Sequence, residues 1–313
     1  MWTGHPLFPE SASTMAPRVD ALYFFLIGVT TFFSLLIAGL IVFYAIRYRR
    51  RSPDSIGAPI HGVLSLELVW TIIPLIISLF IFGWGANVFV AMARAPEETL
   101  NIYAVGKQWM WKFQHLNGQR EINVLHVPAG RAVKLIMTSE DVIHDLFVPA
   151  FRVKADVIPG RYTQIWFEAT TPGTYRLFCA EYCGTEHSAM TGEVIVMEAE
   201  EYQEWLEAGT EGSLASSGSA LFADLSCATC HRPDAIDRGP DLSGIFGSTV
   251  QLADGSEVVV DEGYLREAIL DPASRIRAGY QPIMPTYQGY VTEEQLIELV
   301  EYIRTHPASE VNR

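Results

Sequence analysis

Cys179-Ala-Glu-Tyr-Cys183-Gly-Thr-Glu-His187-Ser-Ala-Met190 sets two thiols, an imidazole and a thioether in one short stretch. Soft sulfur with imidazole suits copper or zinc, and a thioether in the set tilts the choice towards copper. Zinc sites are ordinarily built from Cys, His and carboxylate. Spacing alone also allows a disulfide between Cys179 and Cys183, with His187 and Met190 incidental. The flanks decide the scaffold. TLNIYAVGKQWMWKFQ (99–114), VKLIMTSEDVIHDLFV (133–148), TQIWFEA (163–169), TYRLFCA (174–180) and EVIVMEA (193–199) are β-branched and aromatic runs. Pro128-Ala-Gly130, Pro159-Gly160 and Pro172-Gly173 punctuate them as turns. Short strands with regular turn signals predict an all-β sandwich or barrel. On it the Cys179–Met190 stretch is a loop after one strand, and His144 comes from the loop after another. Ligands from separate loops at one end of a rigid sandwich are a workable way to hold a metal. Buried thiolates there need a metal to compensate their charge.

Outward towards the N-terminus the composition changes. Residues 21–46 (ALYFFLIGVTTFFSLLIAGLIVFYAI) carry no charge and exceed the ~20 residues that span a bilayer. The run is too long for a signal-peptide core, so it reads as a retained anchor. Arg47, Arg49, Arg50 and Arg51 follow it; under the positive-inside rule they stay cytoplasmic and the N-terminus lies outside. A second run, 68–92, returns the chain outward, with Pro74 expected to kink it. Everything from Arg94 onward is then expected in the periplasm. Glu67 opens the second run, where the helix dipole favours a carboxylate; a proton entry point is the functional alternative. A net charge of -14 argues against a nucleic-acid partner.

S-E-D-V-I-H ending at His144, the turn I-P-G-R and the loop C-x-E-x-C-x-x-x-H-x-x-M resemble subunit II of the haem–copper cytochrome c oxidases. With the two spans, the resemblance covers roughly the first two hundred residues. It implies a cupredoxin-like domain holding the dinuclear copper centre CuA, with Cys179 and Cys183 bridging two coppers and His144 and His187 each binding one. It further implies Met190 and the Glu181 carbonyl as weak ligands, and the Glu181 carboxylate on a magnesium ion at the border with subunit I. Trp109, in the patch Gly106-Lys-Gln-Trp-Met-Trp111, matches the family's electron-entry residue. Lys107 and Met110 depart from the family's histidine and tyrosine, and Trp111 reads as a core aromatic. Glu67 falls at the family's proton-channel mouth.

Towards the C-terminus, residues 200–208 read as a short helix and 209–219 (GTEGSLASSGS) as a flexible linker, with an r.m.s. span of roughly 17 Å. Such a tether would hold the next unit near the copper domain at high effective concentration. That unit contains Cys227-Ala-Thr-Cys230-His231. C-x-x-C-H is the c-type haem attachment signature, although zinc and redox C-x-x-C sites share part of it. Residues 219–222 give a helical lead-in, and 291–305 an amphipathic helix with Leu296, Leu299, Val300 and Ile303 apolar. Thr292 and Gln295 fit a capping box at its start. Met284 is the sole methionine after the haem motif and the candidate sixth iron ligand, with His306 as its rival. The tail resembles a class I cytochrome c domain over about the last hundred residues. Copper-domain subunits with such a fusion resemble the caa-type oxidases.

The expected order is an N-terminal periplasmic segment (1–20), a transmembrane hairpin with a cytoplasmic loop (21–93), an all-β cupredoxin-like domain (94–208), a linker (209–219) and a small all-α cytochrome c domain (220–313). The implied function is electron transfer within a terminal oxidase. Electrons would pass from a periplasmic or membrane-bound donor through haem c and CuA to subunit I, where oxygen is reduced and protons are pumped. Its partners would be subunit I, other oxidase subunits and the lipid of a bacterial inner membrane. A quinol-oxidase subunit would lack the copper ligands, and nitrous-oxide reductase would need a large His-rich domain absent here. A copper-delivery or thiol–disulfide protein would be expected to show a βαβ pattern, no methionine ligand and no haem motif. His5, His61, His115 and His126 read as structural.

Overall fold

The computed structural model describes residues 8–54, 57, 59, 62–208, 213–231 and 238–306. His5, His61 and residues 209–212 of the expected linker lie outside them. Two compact units are formed, residues 14–94 and the remainder.

The first unit is a pair of apolar helices. Helix α1 (Ala16–Arg47) has a proline in its first turn, where the missing N–H is no loss, and Arg47 in its last turn. Helix α2 (Leu64–Ala93) runs on through Pro74 and carries Glu67 in its first turn. At 1.5 Å per residue each is roughly 45 Å long, enough to cross the hydrocarbon layer. Phe25 packs on Phe80 and Trp84, with ring centroids 5.6 and 5.4 Å apart. Leu35, Ile41, Leu79 and Phe82 are exposed, as lipid-facing side chains must be.

The second unit begins with the sandwich. Its first sheet takes β1 (Leu100–Lys107), β2 (Met110–His115), β3 (Arg120–Ile122), β5 (Ala132–Ser139) and β8 (Thr163–Glu168) in the order β3-β2-β1-β5-β8. Its second takes β4 (Val124–Pro128), β6 (His144–Val148), β7 (Val153–Val157), β9 (Gly173–Cys179) and β10 (Thr191–Met197) in the order β4-β10-β9-β6-β7. Burial alternates along β9 and β10, as the two-residue period of a half-covered strand requires. Trp111, Phe113, Leu135, Phe167 and Leu177 fill the space between the sheets. Before α1 the chain lies on this sandwich: Ala12 N–H donates to Ala150 O (3.0 Å) and Thr170 N–H to Ala12 O (2.9 Å). Helix α3 (Ala199–Ala208) closes the domain. Its Trp205 stacks on His126, and its Tyr202 meets His115 at 3.2 Å. Glu121 joins both histidines: its Oε1 lies 2.8 Å from His115 Nε2, and its Oε2 pairs with His126 Nδ1.

The tail is mainly helical. Helix α4 (Leu214–Asp224) is capped by Ser213, whose hydroxyl accepts from Ser216 N–H. The stretch read as a flexible linker is therefore helical from Leu214, a correction to the sequence reading. A small hairpin, β11 (Thr249–Gln251) with β12 (Glu257–Val259), precedes α5 (Glu262–Leu270) and α6 (Glu293–Thr305). The Thr292–Gln295 capping box is formed. Helices α4 and α6 cross at Gly218, where a Cβ would collide with the Glu298 carbonyl. Phe222, Leu265, Leu296, Leu299 and Val300 share one core.

The tail packs on the outer face of the first sheet. Leu214 and Ile297 are buried with Tyr103, Val105 and Ile136. Lys112 Nζ lies 2.7 Å from both Glu140 and Glu294, Arg120 pairs with Glu298, and the Arg266 guanidinium sits 5.2 Å from the Tyr162 ring centroid. The contact replaces the free tether expected from composition.

Candidate electron-transfer sites

Strand pairing assembles the first site. The β9 alternation turns Tyr175, Leu177 and Cys179 to the same buried face. Leu146 of β6 pairs with Cys179, which brings His144, two residues earlier on that face, beside the loop. Met190 immediately precedes β10, and Cys179 N–H donates to its carbonyl at 3.1 Å, closing the loop at its base. Cys179 Sγ and Cys183 Sγ lie 3.7 Å apart as free thiols, so no disulfide joins them. His144 Nδ1 is 3.9 Å from the first, and His187 Nδ1 is 3.5 Å from the second. Met190 Sδ is 3.7 Å from Cys183 Sγ, and the Glu181 carbonyl is 3.2 Å from Cys179 Sγ. All six residues named from the sequence are thus brought together.

The electrostatics favour a cation. Burial raises the Cys179 thiol, but contacts with His144 and with the main chain of Asp145 and Glu181 outweigh it and lower its pKa. Burial and the neighbouring Cys179 push the Cys183 thiol up. A metal that binds both sulfurs must displace their protons. Burial opposes a charged His144, yet Cys179 and Asp141 raise its pKa. Asp141 Oδ1 accepts from His144 Nε2 at 2.9 Å, leaving Nδ1 for a metal. Three of these side chains, His144, Cys179 and Cys183, bring ligand atoms within 4.8 Å of one another. The donors suit soft copper, and their arrangement about paired thiols suits two ions.

Trp109 Nε1–H donates to the Cys183 carbonyl at 3.2 Å, and Gln108 Nε2–H to the same oxygen at 2.8 Å. Trp111 is fully buried in the core. Glu181 and Tyr182 are exposed at the loop tip. Sequence reasoning missed Gln108 and Asp141. A signal for Asp141 was present, since it stands three residues before His144.

The second site is a cavity of about 380 Å³ in the tail. Cys227, Cys230 and His231 line it together with Met284, amid apolar Leu225, Leu265, Ile269 and Ile303. His231 Nδ1–H donates to Pro240 O at 2.9 Å, which directs the Nε2 lone pair elsewhere. Burial lowers the His231 pKa, so the ring is held neutral, as an iron ligand must be. An apolar cavity with two free thiols, a neutral imidazole and a thioether fits a covalently attached haem. His306 does not line it; its ring packs on Tyr302 instead. Pro240 carried no signal in the sequence.

Two anchoring helices, a soft-ligand loop on a β-sandwich and a C-x-x-C-H cavity define a membrane-bound electron-transfer protein. Sequence profiles agree: that of the cytochrome c oxidase subunit II transmembrane domain matches residues 2–84, that of its periplasmic domain 120–199, and that of cytochrome c 215–307. Cytochrome c oxidase subunit 2 of Thermostichus vulcanus is 32% identical over 260 residues, covering 65% of this chain and 79% of that protein. The same subunit of Alkalihalophilus pseudofirmus is 32% identical over 276 residues, covering 83% and 78%. A crystal structure of the periplasmic domain of subunit II of cytochrome oxidase from Bradyrhizobium japonicum shares 32% identity, covers 37% of this chain and 96% of that one, and superposes with a TM-score of 0.36. The chain belongs to the cytochrome c oxidase subunit II family, in the form with a fused cytochrome c domain. It is an electron-transfer subunit and a membrane protein, associates with other oxidase subunits, and its domains imply copper CuA and haem c.

Proposed function

We propose that electrons from an external donor reach the His231 cavity first and leave the chain through the Cys179–Met190 loop towards the oxygen-reducing subunit I. The observation that carries this is the convergence of two free thiols, two imidazoles, a thioether and a carbonyl at one end of the sandwich. Loaded, the copper pair and the haem iron supply one-electron carriers. Cys179, Cys183, His144 and His187 would hold the copper, with Met190 and the Glu181 carbonyl as weaker donors. Asp141 holds the His144 ring, and Gln108 and Trp109 hold the loop by the Cys183 carbonyl. The Trp109 hydrogen bond links its indole to the loop, a direct route for electron entry. Cys227 and Cys230 would attach the haem, and His231 and Met284 would bind its iron.

The exposed Glu181 carboxylate is assigned to a magnesium ion at the border with subunit I. The Arg47–Arg51 cluster lies on the cytoplasmic side of a bacterial inner membrane, with the sandwich and haem domain in the periplasm. Residues 8–13 support this, because they pair with the sandwich and two spans return the chain to one side. Glu67 is assigned to a proton-channel mouth on that cytoplasmic side. Domain limits follow the sequence reading, with the haem domain beginning at Leu214. A copper-delivery or thiol–disulfide role is disfavoured by Met190 in the ligand set and by the haem cavity.

Visible and EPR spectra of the chain test the assignment. The unaltered chain is expected to give a mixed-valence dinuclear copper signal and a low-spin c-type haem. Cys183→Ser should abolish the first and spare the second; Met284→Ala should change only the haem spectrum. A copper-reconstituted chain without the dinuclear signal would overturn the reading.

A further inference from the structure

A haem carries two carboxylates, and a cation beside them offsets their charge where they are withdrawn from water. Among the described residues lining the cavity, the arginines are Arg238, Arg275 and Arg277. Arg275 is engaged, its Nε 3.0 Å from Glu267 Oε2. Arg238 is exposed. Arg277 is half-buried and has no carboxylate partner among the described residues; its guanidinium lies over the Tyr280 ring, 5.8 Å from the centroid. Its main chain is fixed from both sides. Leu252 bridges it, Ala278 N–H donates to Gln251 O (2.8 Å), and Tyr280 N–H donates to the Arg277 carbonyl (3.2 Å). The β11–β12 hairpin therefore holds Arg277 at the cavity wall.

A guanidinium half-withdrawn from water beside an apolar cavity is poorly compensated unless an anion arrives. Its planar fork matches a carboxylate through paired hydrogen bonds, and an aromatic face beneath it fixes its plane. We propose that Arg277, supported by Tyr280, is the counter-ion to a haem carboxylate and raises the reduction potential of the iron. This rests on the reading of the cavity as a haem site. The sign follows from charge: reduction adds an electron near a fixed positive group, so removing that group disfavours the reduced form.

The test is spectroelectrochemical titration of the haem in the intact complex at fixed neutral pH, with Arg277→Gln, Arg277→Lys and Arg238→Gln variants. Arg277→Gln is expected to shift the reduction equilibrium about tenfold towards the oxidised form, about 59 mV for one electron. Arg277→Lys should recover most of that shift, Arg238→Gln should cause less than a third of it, and the axial-ligand spectrum should not change. A haem-loaded Arg277→Gln chain with an unaltered potential overturns this assignment alone. An unaltered chain without covalent haem overturns the cavity reading and this assignment with it. If the glutamine variant does not mature, redox-difference infrared spectra of the lysine variant decide. Displaced carboxylate bands support the contact; bands identical to the unaltered protein's overturn it.

Discussion

Gly106→Ala probes how the sandwich positions its metal ligands. Gly106 lies in β1, in an ordinary extended conformation that alanine also adopts, so any effect must be steric. An added Cβ would stand 2.9 Å from His144 Cδ2, 3.3 Å from His144 Cγ and 3.4 Å from the Trp111 ring. His144 is fully buried, lies against Trp111 with ring centroids 6.0 Å apart, and is held by Asp141. The ring can yield the roughly 0.5 Å needed for ordinary contact only by pivoting, which swings Nδ1 away from Cys179. Overpacking of this kind costs about 1–3 kcal/mol. If the metal-bound position of His144 bears that cost, copper affinity should fall roughly 5- to 150-fold. Competition with a copper chelator, followed by the dinuclear EPR signal of the intact complex, reads this directly. An alanine variant that keeps its copper against the same chelator, with an unaltered signal, would refute the reasoning.

Three further outcomes follow from the packing and charge of the second unit. Ile297→Ala removes the buried apolar contact between α6 and Tyr103, Val105 and Ile136, at about 2–5 kcal/mol. It should loosen the haem domain and open residues 214–219 to limited proteolysis, and protection equal to the unaltered chain's would contradict the docking. Lys112→Ala should weaken the same contact in a salt-independent way, whereas the unaltered chain's contact should loosen as salt rises; identical salt profiles would argue against the ion pair. Glu121→Gln should destabilise the sandwich by on the order of 3 kcal/mol near neutral pH. Burial raises the Glu121 pKa, but His115 and His126 outweigh it and hold the carboxyl below its ordinary value. Its contribution is therefore full above the ordinary carboxylate range and is lost as pH falls through the lowered value. The variant's urea-unfolding stability should accordingly lose part of its acid dependence; an unchanged slope would count against this.

Chemistry written in local spacing was legible in the sequence. Cys179, Cys183, His187 and Met190 lie within twelve residues, and Cys227-x-x-Cys230-His231 is a still tighter pattern. The anchor and the Thr292–Gln295 capping box are also local signals. His144 was legible only as an imidazole at the end of a strand-like run, because its place beside Cys179 depends on the β6–β9 register. The docking of the haem domain was not legible. Leu214 lies within a Gly/Ser-rich run that reads as linker, and Ile297 lies off the apolar stripe of Leu296, Leu299, Val300 and Ile303. Each gains a burial partner only when Tyr103, Val105 and Ile136 face it from another domain. The short strands β3, β4 and β7 escaped for a similar reason, since pairing partners rather than their own composition define them. Glu121 was equally silent, although the structural reading of His115 and His126 agrees with their contacts.

The order of electron transfer tests the central claim most directly. Stopped-flow mixing of the oxidised intact complex with a reduced donor should show the haem band change first, followed by loss of the dinuclear copper absorbance. Substitution of Met284 should slow both phases together. Copper reduction that precedes haem reduction, or proceeds at an unchanged rate in the Met284 variant, would contradict a relay running from the His231 cavity to the Cys179–Met190 loop.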